Sequence, residues 1–111
     1  MRGLEGIQVV EIGQMVAVPW AARIMADLGA DIIKLEPPEG DQSRYRGPYG
    51  GEFDINASGL FVSLNFNKRS VSIDLSTDSG MDRLHSLLGD ADLLIHDLAP
   101  NLADSLGLEE L

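Results

Sequence analysis

The residues best suited to chemistry are few. Lys68 and Arg69 stand side by side in Asn67-Lys68-Arg69-Ser70, where a loop gives way to an apolar run. Two such cations can hold a phosphate or carboxylate, the guanidinium through its fork and the ammonium as a point charge. They can equally keep a sheet edge from pairing with another chain. Residue types alone leave both readings open. An anion site there would weaken as salt is raised. His96 ends the run Leu93-Leu94-Ile95-His96, the position at which open α/β sheets bind ligands. His85 lies between Leu84 and Ser86 on a helical stretch. Neither histidine has a second ligand at metal spacing, so no metal is expected and a structural or solvated role fits both. No G-x-S-x-G elbow frames a serine nucleophile. Gly13-Gln14-Met15-Val16 offers a single glycine where a dinucleotide fingerprint or P-loop needs several. The acidic pairs Glu36/Glu39 and Asp90/Asp92 read as solvated charges at element ends.

The elements that must position these residues follow from apolar spacing. Ile7, Val9, Val10 and Ile12 form a short run between Gly6 and Gly13, which predicts a buried strand near Ile7–Ile12. A helix near Pro19–Leu28 follows, with Pro19 in its first turn. Ala21, Ile24, Met25 and Leu28 lie on one face, Arg23 and Asp27 at pairing distance, and Gly29 at the carboxyl cap. Asp31–Glu36 is a second strand, ended by Pro37-Pro38. Residues 39–58, rich in glycine, read as a loop of about 20 residues, long enough to be functional or mobile. Order returns over Leu60–Phe66. A third strand is expected at Ser70–Leu75, then a helix at Thr77–Leu88 with Thr77 as cap and an apolar face of Met81, Leu84, Leu87 and Leu88. A fourth strand at Leu93–His96 and a short helix at Asn101–Leu106 complete the chain. The order predicts an α/β fold, a Rossmann-like parallel sheet with flanking helices. Two good helices are too few to cover both faces of such a sheet, so the chain reads as part of a longer one.

Composition narrows the function classes. The 111 residues carry no cysteine and a net charge of −10. Nine of the eighteen carboxylates fall in residues 71–111, where Arg83 is the only cation. A phosphate backbone repels such a surface, so no nucleic-acid partner is expected. The locally basic places are Arg44 and Arg46, then Lys68 and Arg69. The most apolar span, Met15–Ile33, contains Pro19, Arg23, Asp27 and Asp31, which argues against a membrane segment. Met1–Gly6 has no export signal, which makes the cytoplasm the expected compartment.

Several stretches together resemble a known family. They are Leu4-Glu5-Gly6-Ile7 with Val9-Val10-Glu11, the long run Ala26-Asp27-Leu28-Gly29-Ala30-Asp31-Ile32-Ile33-Lys34-Leu35-Glu36-Pro37-Pro38, and Asn65-Phe66-Asn67-Lys68-Arg69-Ser70-Val71 with Asp74-Leu75. Ala91-Asp92-Leu93-Leu94 and Leu106-Gly107-Leu108 continue in order. In this sequence they resemble the N-terminal part of the class III CoA-transferases, the group that includes formyl-CoA transferase and alpha-methylacyl-CoA racemase. The resemblance implies that residues 1–111 are the N-terminal Rossmann-like CoA-binding segment of a longer enzyme whose two chains interlock as a homodimer. Coenzyme A or an acyl-CoA would be substrate rather than a permanent cofactor, with a carboxylic acid as second substrate. In the transferase reading a carboxylate attacks the thioester to give an acyl anhydride, and CoA returns as an enzyme-bound thioester that the acceptor carboxylate collects. The racemase reading, a non-catalytic CoA-binding or nucleotide-binding module, and a dimerisation module are the alternatives. No residue here matches the family's nucleophile or acid–base pair, so no catalytic residue is expected and the segment alone should be inactive.

Carried over residue by residue, the implied CoA contacts are Val16 and Ala17 in the turn after the first strand, Ile73 and Asp74 at the end of the third, and Asp97 and Leu98 at the end of the fourth. Val16 replaces a glutamine, Ser76 a lysine, Asp97 an asparagine, and Pro37 and Ser105 arginines of formyl-CoA transferase. A carboxylate at Asp97 repels a pyrophosphate, which shifts the expected phosphate contacts toward Arg44, Arg46, Lys68 and Arg69.

Overall fold

The computed structural model describes residues 3–108. Four strands, β1 (Gln8–Ile12), β2 (Asp31–Glu36), β3 (Arg69–Ser72) and β4 (Leu93–His96), form one sheet in the order β3-β2-β1-β4. Every pairing is parallel, as β1's neighbours on both sides require for crossovers that each carry a helix. The helices are α1 (Ala17–Asp27), α2 (Gly59–Asn65), α3 (Asp78–Gly89) and α4 (Pro100–Ser105). The α/β parallel architecture predicted from the sequence is therefore the observed one.

Side-chain alternation splits the sheet into two different faces. Val10 and Ile12 of β1 and Leu35 of β2 point to one side and pack with Ile73, Leu84 of α3, Ala103 of α4, Leu106 and Leu108. On the opposite face Val9 and Ile32 pack with Ala22 and Ala26 of α1 and Ala30. Two residues further along the same strands, the face turns ionic: Glu11, Lys34 and Glu36 are all buried.

The first helix buries a different stripe from the one its apolar spacing suggests. Its covered residues are Val18, Pro19, Ala22 and Ala26, while Ile24 and Leu28 are nearly half exposed, in line with Val16 and Trp20. Alanines let the helix axis approach the sheet closely, and the bulkier side chains stay outside. The positive φ of Gly29 (104°) turns the chain from α1 into β2 as expected.

Residues 39–58 form a loop, as expected, with one 3-10 turn inside it and side-chain bonds that pin it. Asp41 caps a single 3-10 turn, Gln42–Tyr45, by accepting from the Ser43 amide. Ser58, fully buried, donates to the carbonyls of Ser43 and Arg46 and caps α2 through the Phe61 amide. Arg44 reaches from this turn to Glu36, to the Ile55 carbonyl and over the Phe61 ring at 3.7 Å. Among the described residues, no helix is long and apolar enough to cross a membrane.

Candidate functional site at the carboxyl ends of the strands

The chain leaves β1, β2, β3 and β4 at the same end of the sheet, and the strand order reverses there between β1 and β4. Neighbouring strands whose connections run to opposite sides leave a crevice, which is where open parallel sheets bind ligands. A cavity of about 390 Å³ occupies this place. Its walls come from the ends of all four strands: Ile12–Gln14, Leu35–Glu39, Ile73–Ser76 and Asp97–Leu98.

Each wall has a local cause. Gly13 is required because a Cβ there would lie 2.6 Å from Val18 Cβ, so the turn folds directly onto α1. Met15 follows in the left-handed region, φ 67°. β2 stops at Glu36 because Pro37 has no amide to offer a neighbour. That in turn shortens β3: its ladder ends at Ser72, and the Ile73 amide gives the last bond, to the Glu36 carbonyl at 2.9 Å. The expected strand to Leu75 is thus released at Ile73 into the cavity wall. There the Asp74 carboxylate accepts from the amide and hydroxyl of Ser76, which hold its pKa below the usual carboxylate value. Thr77 caps α3 by accepting from the Gly80 amide, as the sequence implied. His96 is half-buried, and its Nδ1 accepts from the Leu98 amide at 3.1 Å, which shapes the turn after β4. His85 is exposed on α3 with Nε2 3.5 Å from the Leu106 carbonyl. Both histidines have structural surroundings.

The cavity brings together Ile73, Asp74, Asp97 and Leu98 of the implied contacts. Val16 and Ala17 lie just beyond it, exposed at the start of α1. Lys68 and Arg69 are elsewhere, and the expected open pair of cations is instead two separate ion pairs. The Lys68 ammonium is buried 2.8 Å from Glu11 Oε1 and also donates to Asn65 Oδ1 and the Pro19 carbonyl. Burial lowers its pKa, although Glu11 opposes the effect. Arg69 lies on the surface, paired with Asp31 at 2.6 Å.

Arg44, another expected anion contact, is also engaged. Its guanidinium grips both carboxylate oxygens of Glu36 at 2.8 Å. Glu36 is therefore not the solvated acid its sequence position suggested. Burial pushes its pKa up, but bonds from Arg44, Ser70 and the Asp41 amide outweigh this and hold it at about 2. The cavity lining contains no lysine or arginine, and its rim carries Glu39, Asp74 and Asp97. Among the described residues, no group of His, Cys, Asp and Glu could hold a metal ion.

Comparison with known proteins places this arrangement. The profile described as CoA-transferase family III matches residues 4–111. The (R)-2-hydroxy-4-methylpentanoate CoA-transferase of Clostridioides difficile is 37% identical over 109 residues, which is 95% of this chain and 27% of that enzyme. The formyl-CoA:oxalate CoA-transferase of Streptomyces avermitilis is 35% identical over 106 residues, 96% of this chain and 25% of that enzyme. A solved CAIB/BAIF family protein from Brucella suis superposes with a TM-score of 0.85 at 36% identity, covering 96% of this chain and 29% of that one. The chain spans about a quarter of the length of the curated relatives it matches. Agreement in sequence and in fold over nearly all of these residues has one reading: the chain belongs to CoA-transferase family III.

Proposed function

We propose that residues 1–111 form the N-terminal Rossmann-like segment of an acyl-CoA:carboxylate CoA-transferase and supply its CoA-side wall. The adenosine end of CoA would lie in the cavity at the strand ends, between Ile73-Asp74 and Asp97-Leu98, with Val16 and Ala17 beside it. The observation that carries this reading is the position of the cavity at the strand-order reversal of a family III sheet. Its apolar walls of Ile12, Leu35, Ile73 and Leu98 suit a purine, and the Asp74 carboxylate can accept from an exocyclic amine. The first turn of α1 has no side-chain cap, which leaves backbone amides to meet a phosphate. The curated relatives described above are CoA-transferases, which favours transfer over isomerisation. The acyl-transfer carboxylate would come from outside these residues. The half-exposed stripe of Val16, Trp20, Ile24 and Leu28, continued by Val62 and Phe66, would be covered in the assembled, dimeric enzyme.

The charge distribution changes the expected salt dependence. With Lys68, Arg69 and Arg44 all engaged by carboxylates and the exposed Arg46 outside the cavity lining, the phosphates of CoA meet a rim of Glu39, Asp74 and Asp97. Raising ionic strength screens that repulsion, so affinity should hold or rise rather than fall. Asp97→Asn removes one repulsive charge and should tighten CoA binding by roughly two- to fivefold. Calorimetric titration of CoA against wild type and Asp97→Asn at low and high ionic strength checks both statements, and a CoA:carboxylate exchange assay on the same samples should show no turnover. Absence of any CoA binding by the wild type overturns the reading.

A further inference from the structure

We propose that the buried ion network beneath the β1–α1 turn is a positioning device: Lys34 and Asp41 hold the backbone of Gly13–Met15 in the shape that meets the ligand. This goes beyond the cavity itself, and the ligand's identity as CoA rests on the function proposed above. Four ionic side chains, Glu11, Lys34, Asp41 and Lys68, are each no more than 1% exposed. The Lys34 ammonium sits 3.0 Å from Glu11 Oε2 and 2.8 Å from Asp41 Oδ2. Lys68 occupies the other oxygen of Glu11. Two cations and two carboxylates thus form one neutral cluster.

The remaining bonds of the cluster converge on one stretch of backbone. Lys34 donates to the Gly13 carbonyl at 3.1 Å. Asp41 Oδ1 accepts from the Met15 amide at 3.0 Å. Lys68 donates to the Pro19 carbonyl at 2.9 Å. A cross-tie runs from the Gln42 amide to Gln14 Oε1 at 3.1 Å. Residues 13–19 are the path from the cavity wall into the first turn of α1, and each bond fixes a point along it. Met15 most needs such support, because it holds a positive φ without being glycine.

Stability alone does not account for the arrangement. Replacing a buried ion pair by apolar groups of similar volume is often neutral or stabilising, because desolvating the charges offsets their attraction. What apolar residues cannot supply is a directed donor at the Gly13 carbonyl and a directed acceptor at the Met15 amide. The network's distinct product is a preorganised turn.

The test separates these roles. Lys34→Met/Asp41→Leu removes one charge of each sign and leaves the Glu11–Lys68 pair intact. Because Asp41 also caps the 3-10 turn at Ser43, the variant should melt up to about 10 °C below wild type, while the Met15 amide exchanges at least roughly tenfold faster relative to the amides of the sheet core by hydrogen-exchange NMR. CoA affinity by calorimetry should fall by roughly tenfold or more. Lys34→Gln/Asp41→Asn keeps a donor at 34 and an acceptor at 41 without either charge, and should recover Met15 protection and most of the affinity. In the wild type, the Met15 amide should already be protected about a hundredfold over an open turn.

Wild-type exchange at the rate of a free loop overturns the proposal, whether or not the leucine variant folds. Unchanged exchange and affinity in that variant overturn it too, as does an affinity loss that the asparagine variant does not recover. If Met15 protection follows the expected pattern but wild type binds no CoA, the CoA reading falls and the positioning role stands.

Discussion

Gly80→Ala should lower the melting temperature by about 15 °C, whereas Gly89→Ala, at the other end of the same helix, should leave it unchanged or slightly higher. A Cβ at Gly80 would lie 1.9 Å from the Asp74 carbonyl oxygen and 2.7 Å from its carbon. Both are backbone atoms and cannot rotate away. The Asp74 carbonyl is fixed by the amide and hydroxyl of Thr77, at 3.2 and 2.9 Å. Thr77 in turn caps α3 at the Gly80 amide. An added methyl must therefore move the start of α3 off the strand end, at a cost of about 3 kcal/mol, the upper part of the usual range for overpacking. A Cβ at Gly89 meets nothing within 4 Å, and alanine there reduces only the freedom of the unfolded chain. Because Asp74 lines the cavity, Gly80→Ala should also weaken CoA binding. Thermal unfolding followed by circular dichroism checks the pair; equal melting temperatures would mean that the helix start does not rest on Asp74.

The same junction marks how far the sequence could be read. The strands β1, β2 and β4 were legible because each is a short apolar run between breakers, and Gly29 and Thr77 announced helix ends by residue type. The carboxyl end of β3 was not, because its limit is set by Pro37 on the neighbouring strand rather than by its own residues. The burying stripe of α1 differs from the one its apolar spacing predicts for a related reason: close packing selects small residues, and hydrophobicity alone favours the large ones. The implied contacts at Ile73, Asp74, Asp97 and Leu98 converge on one cavity since they follow strand ends, which topology gathers. The local pair Arg23–Asp27 was legible from its spacing and is observed at 3.5 Å, but the long-range pairs lay beyond reach in detail, because nothing local says that Lys68 meets Glu11 across 57 positions. A signal was nonetheless present. Glu11 interrupts Val10 and Ile12, Lys34 interrupts Ile33 and Leu35, and the two are register partners in adjacent strands. Opposite charges inside two buried runs predict each other once the strands are paired.

The Glu36–Arg44 pair should make the protein acid-sensitive, and removing Arg44 should reverse that sensitivity. Glu36 titrates at about 2 in the fold against an ordinary 4.5, so the folded state binds its proton less readily than the unfolded chain. A depressed carboxylate of this kind contributes stability that is fully present above pH 4.5 and is lost as pH falls toward 2. The amount is about 3 kcal/mol, large for a domain of this size. In Arg44→Met the carboxylate, 5% exposed in the wild type, loses its cation, although Ser70 and the Asp41 amide still face it. At neutral pH that should cost about 3–5 kcal/mol. Burial then dominates and raises the Glu36 pKa, so acid relieves the penalty by protonating the group inside the fold. The deficit of the variant relative to wild type should therefore be largest at pH 7 and shrink toward pH 4. Glu36→Gln/Arg44→Met, which removes both charges of this pair, should regain much of the neutral-pH loss and lose the Glu36 contribution to either slope. Urea unfolding of wild type and the two variants at both pH values measures these differences. A deficit in Arg44→Met that is the same at pH 7 and pH 4 would show that its cost is lost packing over the Phe61 ring and the Ile55 carbonyl, with no part played by the stranded charge.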